Sequence, residues 1–286
     1  MSRKIILLFV IAVLIVGIVV LINKSIKKSD KENSDKIKVT ASFYPLYFFA
    51  KEIGGEKVEV INITPSGTEP HDYELTTQDF INIESSDVLI LNGAGLESWG
   101  NDVLKNLSPE KTRIIAGEGL FVGNDPHVWL SPVLAQHMAG AIGEALGDAT
   151  SLREKLQALD VKYRQGLSNC KQKNIITPHR AFGYLAAAYG FKEVPITGLS
   201  PEAEPSAQEL ANIADFARKN NIKYIFFDSL ASPKLSQTLA KEIGAQTLAL
   251  NSLEGLSDKE IAQGKNYFTE METNLANLQI ALQCQK

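Results

Sequence analysis

Residues 37–286 read as two successions of short β-branched runs alternating with helical stretches, with one long helical stretch between them. That alternation marks a parallel sheet wrapped by helices, because each parallel strand needs a crossover long enough to bring the chain back, and the crossover is usually a helix. In the first succession strands are expected at 38–43, 58–64, 87–92 and 113–116, with helices beginning near Leu46, Thr77, Leu96 and Pro132. In the second they are expected at 174–177, 192–196, 224–227 and 246–250, with helices from Ala181, Ser206, Pro233 and Asp258. From Pro132 almost to Asn169 the helical pattern is interrupted by little more than Gly140, Gly143 and Gly147. An unbroken helix of that length would run about 50 Å.

The expected fold is therefore α/β: two Rossmann-like α/β lobes, 37–132 and 171–286, joined by one long rigid backbone helix at 133–170. A ligand would sit in the interlobe cleft, at the carboxyl ends of the strands.

Residues 1–36 do not belong to that pattern. Ile5–Ile22 contains one glycine and no polar side chain, and as a helix it would span about 27 Å, close to the roughly 30 Å of a bilayer core. Arg3 and Lys4 precede it and Lys24, Lys27 and Lys28 follow, with no small-x-small exit and no nearby cysteine for lipid attachment. The expectation is an uncleaved N-terminal signal-anchor in the cell membrane, with the soluble domain on the extracytoplasmic (periplasmic or extracellular) side. A cleaved signal peptide on a secreted or periplasmic protein is the alternative. Residues 23–36 lack periodicity and read as a solvated tether. What remains carries 22 basic and 30 acidic side chains, a balance that argues against nucleic acid as a partner and suits the handling of cations. Cys170 and Cys284 are too few for a disulfide scaffold and form no CxxC pair; a single bridge in an oxidising compartment and two inert thiols both stay open.

Three of the four histidines directly follow a proline, at Pro70-His71, Pro126-His127 and Pro178-His179. Proline restricts its own φ and the residue before it, so each imidazole is presented from a stiff loop, as a preformed coordination site requires. His71 lies beyond the second strand and His127 before the long helical stretch, both in the first lobe, whereas His179 follows the first strand of the second lobe. All three can converge on the cleft, and neutral imidazoles are natural ligands for zinc and other late first-row divalent ions. His137 follows Gln136 within the helical stretch and reads as an ordinary surface or packing residue.

Five segments carry a family resemblance: PHDYELT at 70–76, DPHVWLSP at 125–132, HRAFGYLAAAYG at 179–190, GLSPEAEPSAQEL at 198–210 and LNSLEGL at 250–256. They are similar to the metal-binding solute receptors of ABC transporters, a cluster of zinc and manganese receptors and their streptococcal adhesin relatives. The resemblance implies two pseudo-symmetric lobes around a rigid backbone helix and places metal ligands at His71, His127 and His179. A histidine at the third position is similar to the zinc-specific branch, where manganese receptors usually have a carboxylate. The fourth ligand of that branch falls on Glu254, although water fills this place in some relatives. Three imidazoles and one carboxylate would close a tetrahedral site that suits Zn2+ over Mn2+. The implied partner is an ABC permease in the membrane, with the receptor a monomer. Unlike many zinc receptors, the chain has no His-rich acidic insertion between Arg113 and His127, so no accessory metal site is expected.

Around these positions, Asp228 could accept an imidazole N–H or be merely the acid before a loop, Trp129 and Phe182 could keep the site dry or serve in ordinary packing, and Asp72 and Glu74 read as solvated or supporting groups. Ser206 reads as a helix cap after the stiff SPEAEPS loop. Two other function classes remain. A zinc hydrolase would need an open coordination position and a general base, and the chain has no HExxH segment. Nothing in the sequence encodes the host ligand that a surface adhesin would require.

Overall fold

A computed structural model describes residues 36–200, 204–230 and 232–285. The expected membrane helix at Ile5–Ile22 and its tether lie outside the described residues. Among those residues, no helix is long and apolar enough to cross a membrane.

The first lobe contains β1 (Ile37–Ala41), α1 (Tyr44–Gly54), β2 (Val58–Asn62), α2 (Thr77–Ser85), β3 (Val88–Leu91), α3 (Gly100–Asn106) and β4 (Thr112–Ile115). Two helices follow, α4 (Pro132–Leu146) and α5 (Thr150–Leu167). The second lobe contains β5 (Asn174–Thr177), α6 (Gly183–Tyr189), β6 (Lys192–Pro195), α7 (Ala207–Lys219), β7 (Tyr224–Phe227), α8 (Lys234–Ile243), β8 (Gln246–Ala249), α9 (Asp258–Ala262) and α10 (Tyr267–Ala281). The sheet orders are β2-β1-β3-β4 and β6-β5-β7-β8, the same arrangement twice. The β1–β3, β3–β4, β5–β6, β5–β7 and β7–β8 pairs run parallel.

Each lobe has its own apolar core, as burial of both sheet faces demands. In the first, Leu89 and Leu91 of β3 pack with Ile63, Ile83, Val103 and Leu107. In the second, Ile176 of β5 and Ile225 of β7 pack with Ala214, Ala217, Leu239 and Ala240. Capping boxes open α2 at Thr76 with Asp79, α7 at Ser206 with Glu209 and α9 at Ser257 with Glu260. Each satisfies two backbone donors that the first helical turn leaves free.

The single long backbone helix is not present. Gly147 adopts φ 123 at the end of α4, a backbone that only glycine tolerates readily. The Asp148 carboxylate then accepts from the Thr150 N–H and starts α5 afresh. An Ala149 side chain packed 2.9 Å from where a Cβ on Gly143 would stand leaves no room for one, so the two helices meet closely at this corner. Sequence periodicity misses the break because both halves present the same apolar spacing.

Two other boundaries shift for local reasons. The helix expected near Leu96 begins at Gly100, because Gly93, Ala94 and Gly95 all take positive φ and Glu97 accepts from the N–H groups of Asn92 and Gly93. The helical run after Asp258 splits at Gly264, and Asn266 caps α10.

The lobes meet through aromatic side chains. Tyr267 of α10 packs against Phe49 and Phe48 of α1, with ring centroids 4.9 and 6.0 Å apart, and its hydroxyl donates to the Trp129 carbonyl at 2.5 Å. Cys170 and Cys284 are joined by a disulfide that ties the segment after α5 to the segment after α10.

Candidate metal centre

Because the strands within each sheet run parallel, loops at their carboxyl ends gather at one edge, and every candidate site residue lies on such a loop. His71 follows β2, His127 precedes α4, His179 follows β5, Asp228 ends β7 and Glu254 follows β8. The loops bring His71, His127, His179 and Glu254 together. Glu254 Oε1 lies 3.1 Å from His127 Nε2, 3.4 Å from His179 Nε2 and 3.5 Å from His71 Nε2. His71 and His127 face each other, Nε2 to Nε2, at 3.2 Å.

In a regular tetrahedron with metal–ligand bonds of about 2.0 to 2.1 Å, ligand atoms stand about 3.3 Å apart. These four separations bracket that edge. His71, His127 and Glu254 form the tightest group, with donor atoms all within 4.8 Å of one another, and His179 joins it through Glu254.

Burial makes the cluster costly without a cation. His127 and His179 are fully buried and Glu254 is 1% exposed, whereas His71 keeps 10% of its side chain in solvent. Neither ring nitrogen of His179 has a hydrogen-bond partner, and a buried polar atom left in that state costs about 1–3 kcal/mol. Burial alone would raise the Glu254 carboxyl, but His179, His127 and His71 outweigh it and hold Glu254 well below the usual carboxylate range. Burial alone would lower His127, but hydrogen bonds to Asp125 and Glu254 raise it to about 9. In the absence of metal the site therefore stores a proton on His127 beside an ionised Glu254.

Four further acidic side chains surround this arrangement, and only Asp228 was marked by sequence. Asp125 accepts from His127 Nδ1 at 2.8 Å and from the His127 backbone N–H at 3.0 Å, turning Nε2 inward. Glu193 on β6 accepts from Thr177 Oγ1 and from the N–H groups of Ala181 and Phe182, shaping the turn that carries His179. Asp228 is buried, but its oxygens accept from the Ser252 and Leu230 backbone N–H groups instead of an imidazole, so it fixes the loop of Glu254. Burial and the neighbouring Glu254 push the Glu69 carboxyl up to about 10, so it holds its proton next to the ionised Glu254. The only sequence signal for Asp125 and Glu69 is that each stands two residues before a Pro-His histidine.

Trp129 is fully buried, with its ring 5.1 Å from that of His127, and its Nε1–H donates to the Ser252 carbonyl at 2.8 Å. It therefore bonds the first-lobe loop to the second-lobe loop as well as excluding water. Phe182 is fully buried after His179. Asp72 and Glu74 are exposed, as is His137 on α4.

A match to the family described as zinc-uptake complex component A, periplasmic, covers residues 39–281. The chain is 38% identical over 283 residues to the zinc-binding lipoprotein AdcA of Streptococcus pneumoniae, a match spanning 87% of this chain and 56% of that protein. It is 39% identical over 308 residues to the high-affinity zinc uptake system protein ZnuA of Bacillus subtilis, across 96% of this chain and 97% of that one. The crystal structure of the Zn(II)-bound ZnuA-like domain of S. pneumoniae AdcA superimposes with a TM-score of 0.78 at 39% identity, covering 86% of this chain and 99% of the domain. The chain thus spans 56% of the AdcA relative and nearly all of the ZnuA relative. With the family match covering both lobes and all four converging side chains, the chain belongs to the zinc-uptake complex component A family.

Proposed function

We propose that this chain is an extracytoplasmic receptor that captures Zn2+ with His71, His127, His179 and Glu254 and delivers it to an ABC permease, acting as a monomer held at the cell membrane by its N-terminal segment. In this reading 37–132 and 171–286 are the working lobes and 133–170 connects them. The observation that carries the proposal is one carboxylate oxygen within 3.1–3.5 Å of three imidazole Nε2 atoms drawn from both lobes. Three neutral imidazoles and a carboxylate favour zinc over manganese, which prefers an octahedral oxygen shell. The names of the AdcA and ZnuA relatives point the same way.

A hydrolase reading has less support. Glu254 completes the donor set and leaves no open coordination position for a reacting water. The interlobe aromatic packing and the Trp129–Ser252 bond restrict hinge opening. Release therefore proceeds through local rearrangement of the loops that carry His179 and Glu254.

Titration of the full chain with Zn2+ and Mn2+, alongside His127→Ala and Glu254→Ala, tests the proposal. Wild type should prefer zinc and both variants should lose affinity. Wild type binding zinc no better than the His127 variant would defeat the site, and tighter binding of manganese would defeat the choice of metal.

A further inference from the structure

The first turn of α6 touches both lobes at once. Its preceding residues, Ala181 and Phe182, give their N–H groups to Glu193 of the second lobe. Gly183 lies against the first lobe, where a Cβ would stand 3.2 Å from Asp125 Oδ2. Tyr184 then places its hydroxyl between two backbone groups of the His127 loop, accepting from the Val122 N–H at 2.8 Å and donating to the Asp125 carbonyl at 2.8 Å. Asp125 in turn fixes His127 Nδ1. A four-residue turn thus lies between the segment carrying His179 and the carboxylate that orients His127.

The Tyr184 hydroxyl uses both its donor and its acceptor on a single loop of the opposite lobe, so it resists separation of that loop from α6 without itself reaching the histidine cluster. We propose that Tyr184 is an interlobe latch: a positioning residue that sets how fast the bound metal leaves by holding the His127 loop against α6. This rests on the receptor reading above. The latch acts on release rather than on the ligand set, because Asp125 keeps its side-chain bonds to His127 whether or not its carbonyl is engaged.

Tyr184→Phe removes the hydroxyl and keeps the ring. The full chain loaded with zinc is mixed with excess chelator and release is followed by stopped flow, with Tyr47→Phe on α1 as a control that loses a single hydroxyl contact, to Lys51. Loss of two neutral hydrogen bonds predicts release roughly 5- to 150-fold faster in Tyr184→Phe and unchanged in Tyr47→Phe. The association rate and the visible absorption of the Co2+-loaded protein should stay at wild-type values, while the metal-free unfolding midpoint falls by only a few degrees because the same two bonds are lost there. A merely structural tyrosine would lower that midpoint and leave the release rate unchanged, and a residue shaping the ligand set would alter the cobalt spectrum. Either result, or release at the wild-type rate, would overturn the latch while leaving the receptor intact. A wild-type chain that failed to hold zinc would overturn the receptor reading and the latch with it.

Discussion

Replacing Asp125 with alanine separates two effects that this carboxylate has on His127. It orients the ring, accepting from Nδ1 at 2.8 Å and from the backbone N–H at 3.0 Å. Loss of such an orienting partner weakens metal binding about 10- to 100-fold. It also helps to raise His127 to about 9. At pH 7 that value leaves roughly one ring in a hundred neutral and able to coordinate, about a 100-fold handicap. Without Asp125, Glu254 alone opposes burial, so the pKa falls back toward the ordinary value of about 6.5 and most of the handicap goes. At pH 7 the two consequences oppose each other, and zinc affinity should change by no more than about tenfold. At pH 9.5 the wild-type ring is already mostly neutral, so the full loss of about 10- to 100-fold should appear. Competition with a zinc chelator of known affinity, run on the full chain at both pH values, reads the difference. An equal deficit at both would refute the reasoning, because Asp125 would then orient His127 without holding a proton on it.

Three further expectations follow from the same structure. Because His127 is raised above the ordinary histidine value, zinc must displace a proton near neutrality: calorimetric titrations at pH 7 in buffers of different ionisation enthalpy should report about one proton released per zinc from this ring, and buffer-independent heats would contradict it. By the same linkage, the stability that the charged ring gives the metal-free protein is fully present below about pH 6.5 and lost as pH rises through about 9, so its unfolding midpoint should fall over that range. The Cys170–Cys284 bridge closes a separation of 114 residues. Its removal from the unfolded-state constraint is worth about 5 kcal/mol, so the Cys170→Ser/Cys284→Ser variant should melt about 10–20 °C lower by calorimetry; a shift under about 2 °C would show that the bridge contributes little.

The strands were legible because each is a short β-branched run, and β5 and β7 occur at the expected residues. The three clustered histidines were legible for a different reason: a preceding proline is a local sign of stiff presentation. The break between α4 and α5 was hidden because Gly147 and Asp148 stand between two stretches of the same helical period. Glu69 and Glu193 were hidden because their roles come from partners brought in by the fold, and Asp125 because its spacing from His127 does not by itself say that the carboxylate turns back onto the ring. Glu193, for example, reaches back from β6 to N–H groups at Ala181 and Phe182. Asp228 stands at the strand end that sequence singled out, and its oxygens accept from the backbone N–H groups of Leu230 and Ser252, partners that no local pattern announces. The pairing of His127 with Asp125 and Glu254 moves the pH at which a proton on this ring competes with zinc from the ordinary histidine value of about 6.5 up toward about 9.

The central claim is that three imidazoles and Glu254 together form one closed zinc site. X-ray absorption at the zinc edge of the loaded full chain measures that coordination directly. The account predicts four nitrogen or oxygen neighbours at about 2.0–2.1 Å, with the outer-shell scattering of three imidazoles, one of which is lost in His179→Ala. A six-coordinate oxygen shell, or a spectrum that His179→Ala leaves unchanged, would contradict it.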